Sequence, residues 1–137
     1  MIGLSIKSKY GLAVVLELAL AEKGCPIQIK KLASLRSVPK KYLEQILIDL
    51  KKQGILKSSR GSQGGYQLAM PATTLTICDI MDALEGKKAL SDGYCGGSVL
   101  KKFWSSADKK CKEIFNVTIA TLVKEKEYAD QCLTFNI

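Results

Sequence analysis

Arg60 stands at the base of the run Ser59-Arg60-Gly61-Ser62-Gln63-Gly64-Gly65-Tyr66, where a guanidinium can bond phosphate or the edges of bases in a groove. Glycines in that run let the backbone turn tightly, because glycine reaches positive φ without a Cβ clash. A second reactive set is the five cysteines, Cys25, Cys78, Cys95, Cys111 and Cys132. Their thiols point to metal ligation or redox sensing rather than to structural disulfides. The chain has no histidine, which removes the usual general base, the Ser–His and Cys–His nucleophile pairs, and imidazole metal ligation. No Walker-type or dinucleotide-binding glycine pattern is present. The expectation is therefore a protein that is not an enzyme.

Charge narrows the class further. The formal charge of +8 is unevenly spread: up to Tyr66 there are 12 Lys and Arg against 4 Asp and Glu, and beyond it 9 against 9. A basic field confined to the N-terminal half reads as the footprint of a polyanion, with a solvated lysine-rich surface as the alternative. The 137 residues, 47% of them hydrophobic, suffice for one modest domain or a small domain with an appended helix. The longest apolar stretch, Gly11–Leu16 and Leu18–Ala21, is interrupted by Glu17 and too short to span a bilayer. No secretory leader pattern opens the chain, so a cytoplasmic protein without a membrane partner is expected.

These groups need elements to hold them. Ser5 can cap a first helix running to about Lys23, with Leu12, Val15, Leu16, Ala19 and Leu20 as its apolar stripe, ended by Gly24-Cys25-Pro26. Ile27–Ile29 reads as a short extended piece, and Lys30–Arg36 as a short helix. Ser37-Val38-Pro39 breaks the chain, with Pro39 in the first turn of the next helix. From Lys40 to Gln53, Leu43, Ile46, Leu47 and Leu50 face inward, with Lys40, Lys41, Glu44, Gln45, Lys51 and Lys52 elsewhere around the cylinder. The pair forms a helix-turn-helix whose second helix would enter a major groove. Ile55–Ser58 and Tyr66–Ala69 flank the glycine tip as strands.

The expected fold is mainly α: a winged helix-turn-helix domain over residues 1–85, with a small two-stranded β wing and a long C-terminal dimerisation helix. Thr76–Glu85 adds a short helix, and residues 86–97 form a sensor-like loop carrying Cys95. One long helix is expected over 98–126, followed by a tail over 127–137. Its stripe of Leu100, Trp104, Ala107, Cys111, Ile114, Thr118 and Leu122 is too apolar to stand alone. A homodimer in which this helix crosses its partner copy is expected, with packing back onto the winged domain as the alternative.

The stretch KYLEQILIDLKKQGILKSSRGSQGGYQL, followed by a proline and the run LTICDIMDALEG, resembles the Rrf-two family of bacterial transcription regulators. The opening Ile6-Lys7-Ser8-Lys9-Tyr10-Gly11-Leu12 is also similar to the family's basic lead into its first helix. The resemblance covers residues 5 to about 86 well and the Trp104 helix more loosely. It implies a dimeric winged helix-turn-helix protein on double-stranded DNA that represses or activates promoters, repression being the expectation. It implies that Tyr42, Glu44 and Gln45 lie on the recognition helix, and that Arg60 and Gly61 lie on a wing that enters the minor groove. The residue chemistry agrees: Gln45 can bond adenine twice and Glu44 can accept from cytosine N4. Lys40, Lys41 and Ser59 would hold phosphates, with Lys7 and Lys9 as further phosphate contacts. Tyr42 packing on the core, and Gln45 as an ordinary solvated residue, remain open alternatives.

The resemblance also bears on the cysteines. Many relatives hold an iron–sulfur cluster on three closely spaced cysteines in the loop before the dimerisation helix. Here Cys95 is alone in that loop, Cys111 lies on the following helix, and Ser98 stands about where the last ligand would be. Fewer than three thiolates per chain hold a cluster poorly, so no cofactor is firmly expected and no metal is assigned. Pooling Cys95 and Cys111 across a dimer is the alternative for a cluster. Cys25, in a Lys-Gly-Cys-Pro turn, is the candidate sensing thiol, against an inert loop cysteine. A thiol, redox or metabolite signal, a small-molecule effector or a regulatory protein are the inputs considered. The competing function is a winged-helix module whose basic face binds an acidic protein.

Overall fold

In the computed structural model the described residues are 4–21 and 25–135; residues 1–3, 22–24 and 136–137, and with them Lys23 and the end of the tail, lie outside them. The first helix, α1 (Ile6–Leu20), starts where expected, with the Ser5 side chain accepting from the Ser8 amide. It is helical only to Leu20, three residues short of the expected end. Its apolar residues are not confined to one stripe, because α1 is the central element. It packs against helices and strands that follow it on several sides, burying Val14, Val15 and Leu18. Gly11 is buried at one of these crossings: a Cβ there would lie 2.2 Å from Leu84 Cδ1.

Ile27 makes a single antiparallel bridge to Tyr66, both hydrogen bonds being 2.9 Å, so the expected extended piece is a one-residue third strand of the wing. Helix α2 (Ile29–Arg36) ends on Ser37 in the left-handed region, φ 52°. Helix α3 (Lys40–Lys52) follows, with Pro39 at the N-cap rather than inside the first turn. Leu43, Ile46, Leu47 and Leu50 are all fully buried, as their spacing predicts. Strands β1 (Leu56–Ser59) and β2 (Gly65–Leu68) pair antiparallel, with Leu56 opposite Leu68 and Ser59 opposite Gly65. The winged helix-turn-helix architecture and the mainly helical class are thus as expected.

Helix α4 (Ile77–Glu85) is set by a reciprocal capping box between Thr76 and Asp79. Its last residue, Glu85, accepts from the Ser5 amide at 3.1 Å, the Ser8 hydroxyl at 2.6 Å and the Ser5 hydroxyl. The hydroxyls of Ser5 and Ser8 hold the Glu85 carboxyl below the usual range. The start of α1 is thereby tied to the end of α4.

The expected single helix over 98–126 is corrected: it is two helices, α5 (Ser98–Phe115) and α6 (Ile119–Phe135), and much of the expected tail is helical. The break has a long-range cause. Thr118 bridges Thr76, the Ile77 amide donates to Val117 O at 2.9 Å, and the Ile119 amide donates to Leu75 O at 2.8 Å. Thr118 Oγ1 then accepts the Thr121 amide at 3.2 Å, so the residue expected inside the stripe caps α6. Ile119 is fully buried in the main core, and Leu122 and Val123 pack on it. Leu122 is therefore removed from the expected dimerisation stripe: it faces its own domain. Helix α5 by contrast buries no residue. None of the helices among the described residues is long and apolar enough to cross a membrane.

Candidate nucleic-acid interface

Turning by about 100° per residue, α3 places Lys41, Glu44, Gln45, Ile48 and Lys52 on one side and its buried leucines and Ile46 on the other. All five outer residues are exposed, as are Lys40 and Lys51 on their flank. Four lysines around two hydrogen-bonding side chains make a cationic face with a polar centre, suited to phosphate at the edges and base edges in the middle. Lys51 Nζ donates to Ser58 Oγ at 2.6 Å, linking this face to the wing.

Asp49 lies beside this face and organises it. One of its oxygens is 2.5 Å from Lys7 Nζ, and the other accepts Gln45 Nε2 at 2.9 Å. Burial alone would push the Asp49 carboxyl up. Hydrogen bonds from Lys7 and Gln45, with the Lys7 and Lys52 charges, outweigh it and hold the carboxyl below the usual range. Lys7, expected as a phosphate contact, is thus engaged within the protein, whereas Lys9 is exposed on α1. Tyr42 takes the packing alternative: its ring is tilted against that of Tyr10 at 5.7 Å between centroids, half-buried on the core. The Lys41 ammonium lies 5.0 Å above the Tyr42 ring, which sets its direction.

The wing carries Ser59, Arg60 and Gly61, all exposed. Gly61 has φ +100°, and the Gly64 amide donates back to Gly61 O at 3.0 Å, closing the tip. At Gly65, φ +144°, a Cβ would meet Ile27 O at 2.5 Å, so only glycine lets the wing dock on the Ile27 bridge. Gln28 Nε2 also holds the tip, donating to Ser62 O at 3.2 Å. Arg60 is therefore presented on a hairpin anchored at base and tip, across a cleft of about 370 Å³ from the start of α2.

No three of the cysteines converge. Among the described residues no three Cys, Asp or Glu side chains are placed to hold a metal ion. Cys95 Sγ donates to Ser91 O at 3.0 Å, and its loop is held by a carboxylate instead: Asp108 of α5 accepts the Leu90 amide at 2.6 Å, the Ser91 amide at 3.0 Å and the Ser91 hydroxyl at 2.6 Å. The Ser91 hydroxyl, then the Leu90 amide, hold the Asp108 carboxyl below its usual range. The residues present thus do not fit a three-thiolate cluster within one chain. Cys111 half-faces a cavity of about 340 Å³ between α4 and α5 that Cys78 also lines. Burial pushes the Cys78 thiol up, reinforced by Asp82 and Asp79. Cys25 is exposed in the segment after α1.

Sequence reasoning missed Ile48 and Asp49. Ile48 had a signal: it falls half a turn from the inward leucines. The partnership of Asp49 with Lys7 had none, because the two meet only when α1 packs on α3.

Leu100, Phe103 and Ile114 of α5 are 48%, 58% and 67% exposed, with Trp104, Ala107 and Cys111 half-buried beside them. Phe103 and Trp104 stack edge to face at 5.1 Å between centroids. The helix thus displays a long apolar side that its own domain covers only in part.

Comparison with known proteins agrees with this geometry. The family model for Rrf2, described as an iron-dependent transcriptional regulator, matches residues 4–125. A Synechocystis sp. chain named as an HTH-type transcriptional regulator is 32% identical over 126 residues, covering 87% of this chain and 86% of its own. The regulator CymR of Bacillus subtilis is 37% identical over 83 residues, 61% of this chain and 60% of its own. Among solved structures, that of CymR, the global cysteine regulator of B. subtilis, superposes with TM-score 0.82 at 29% identity, over 91% of this chain and 98% of that one. IscR of T. potens superposes with TM-score 0.80 at 32% identity, over 93% and 90%.

Proposed function

The chain belongs to the Rrf2 family of transcriptional regulators, and from that premise we propose that it binds operator DNA as a homodimer and represses the promoters it occupies. Each protomer lays α3 in a major groove and its wing tip against the adjacent minor groove. Gln45 and Glu44 read base edges. Lys40, Lys41 and Ser59 hold phosphates, Lys9 adds a further one, and Arg60 enters the minor groove beside Gly61. The single observation that carries this reading is the joint exposure of the α3 face and the Arg60 tip, fixed to one another through Lys51 and Ser58.

The dimer is supported by α5. Its Leu100, Phe103 and Ile114 are exposed, with Trp104, Ala107 and Cys111 half-buried beside them, and a second copy crossing this side would bury what remains open. Leu122 has no part in it. Signal input is assigned to thiol chemistry at Cys25, which is exposed, or in the α4–α5 region holding Cys95 and Cys111, which joins the reading head to the dimer helix. CymR, a cysteine regulator by name and solved also in an oxidised form from Staphylococcus aureus, is a precedent for such an input.

The test is binding to genomic fragments at rising salt, with footprinting of those retained. A regulator protects discrete sites and keeps a specificity ratio as salt rises. Equal affinity for every fragment, with no protected site, overturns the reading.

A further inference from the structure

Ile48 is 56% exposed at the middle of the face that α3 turns away from the core. Its neighbours one turn back are Glu44 and Gln45, and one turn ahead Lys51 and Lys52. Every other large aliphatic residue of the helix, Leu43, Ile46, Leu47 and Leu50, is fully buried. An isoleucine in that place is no part of the core, yet it stands on the axis of a cationic surface. Charge complementarity names the occupant: lysines at both ends favour a polyanion, and within DNA the apolar group offered in the major groove is the thymine C5 methyl.

We infer that Ile48 reads a thymine methyl and so sets base preference beside the site read by Gln45; the inference rests on the DNA-binding reading above. Three residues along a helix amount to about 4.5 Å, close to the roughly 3.4 Å between stacked base pairs, so the thymine is expected in a pair neighbouring the one Gln45 contacts. Gln45 is itself held in place, because Asp49 fixes its amide at 2.9 Å. The two contacts differ in kind. Gln45 offers hydrogen bonds, whereas Ile48 offers only surface that excludes water from a methyl group. A base that differs from thymine solely by that methyl therefore isolates the second contact.

The experiment uses the full chain. A duplex is selected from a random pool, and each thymine in it is replaced in turn by uracil. For the unsubstituted protein, one uracil per half-site should weaken binding about fivefold to tenfold. Ile48→Ala should bind the thymine duplex about fivefold to tenfold more weakly and be indifferent to that same uracil, whereas Ile48→Val should keep most of the discrimination. Unchanged circular dichroism and thermal midpoint certify the fold, as expected for an exposed position. If Ile48→Ala responds to every uracil as the unsubstituted protein does, or binds as tightly, the assignment is overturned. If the selection enriches no sequence at all, the DNA-reading function itself fails and takes the inference with it; a selected site without the coupling removes Ile48 alone.

Discussion

Lys7 on α1 and Asp49 on α3 meet at 2.5 Å, and the free oxygen of Asp49 accepts the amide of Gln45. The side chain proposed to read a base is thereby oriented, through Asp49, by a residue of α1. Asp49→Asn should lower stability at neutral pH by about 1 kcal/mol or less, the range for a partly exposed pair. The sign follows from the depressed carboxyl: its contribution is present above the ordinary aspartate range and is lost as pH falls through the folded value. Urea unfolding of both proteins at neutral pH and near pH 3 should show a difference that narrows in acid. Equal gaps at both pH values would contradict the pair.

Arg60→Ala should weaken operator binding and lower the slope of log affinity against log salt by about one if the guanidinium neutralises a phosphate. Gln45→Ala should instead relax preference at one base position, by about 1–3 kcal/mol, and leave that slope alone. Titrations over several salt concentrations separate the two. The same slope for both variants would mean that tip and helix do not divide the work as assigned.

Gly65→Ala should destabilise the protein by about 1–3 kcal/mol, because a Cβ meets the Ile27 carbonyl at 2.5 Å in a backbone conformation alanine rarely adopts. Unlike the contact of Gly11 with the end of the Leu84 side chain, this clash is with backbone and cannot be relieved by a rotamer change. Thermal unfolding checks it; an unchanged midpoint would mean the Ile27–Tyr66 bridge does not hold the wing.

The reading head was largely legible because its signals are local. Leucines at helical spacing, a proline at the start of α3 and glycines at the wing tip each act within a few residues. The break at Asn116–Thr118 was not, because the apolar period runs on through Thr118 and Leu122. What ends the helix is pairing with Leu75, Thr76 and Ile77, far away in sequence. The role of Lys7 was lost for the same reason, since its partner lies 42 positions on. Asp108 reads as one more surface carboxylate on α5 until the loop folds back to meet it.

Asp108→Asn should loosen residues 89–92 while leaving the core intact. Its carboxylate holds two backbone amides and one hydroxyl of that segment, and an amide oxygen accepts them more weakly. Because the folded carboxyl lies below its usual value, the tethering is complete at neutral pH and fades only in acid. Hydrogen exchange should show faster exchange at Leu90 and Ser91 in the variant, with α3 unchanged. No change there would mean other contacts hold the loop.

Phe103→Glu and Ile119→Ala should fail in opposite ways, which separates the two helices that the sequence reads as one. Phe103 is 58% exposed on a helix that buries nothing, so a charge there costs the protomer little but disfavours burial against a second copy. Ile119 is fully buried in the main core, so truncation should cost about 2–5 kcal/mol of folding stability. Sedimentation should find Phe103→Glu monomeric at concentrations where the unsubstituted chain is dimeric, with its fold preserved. Ile119→Ala, where folded, should still self-associate. If the proposed dimer holds two half-sites together, Phe103→Glu should also lose most operator affinity although no residue of its α3 or wing has changed. Retention of full affinity by a monomer would show that one reading head suffices and that the uncovered side of α5 serves another purpose.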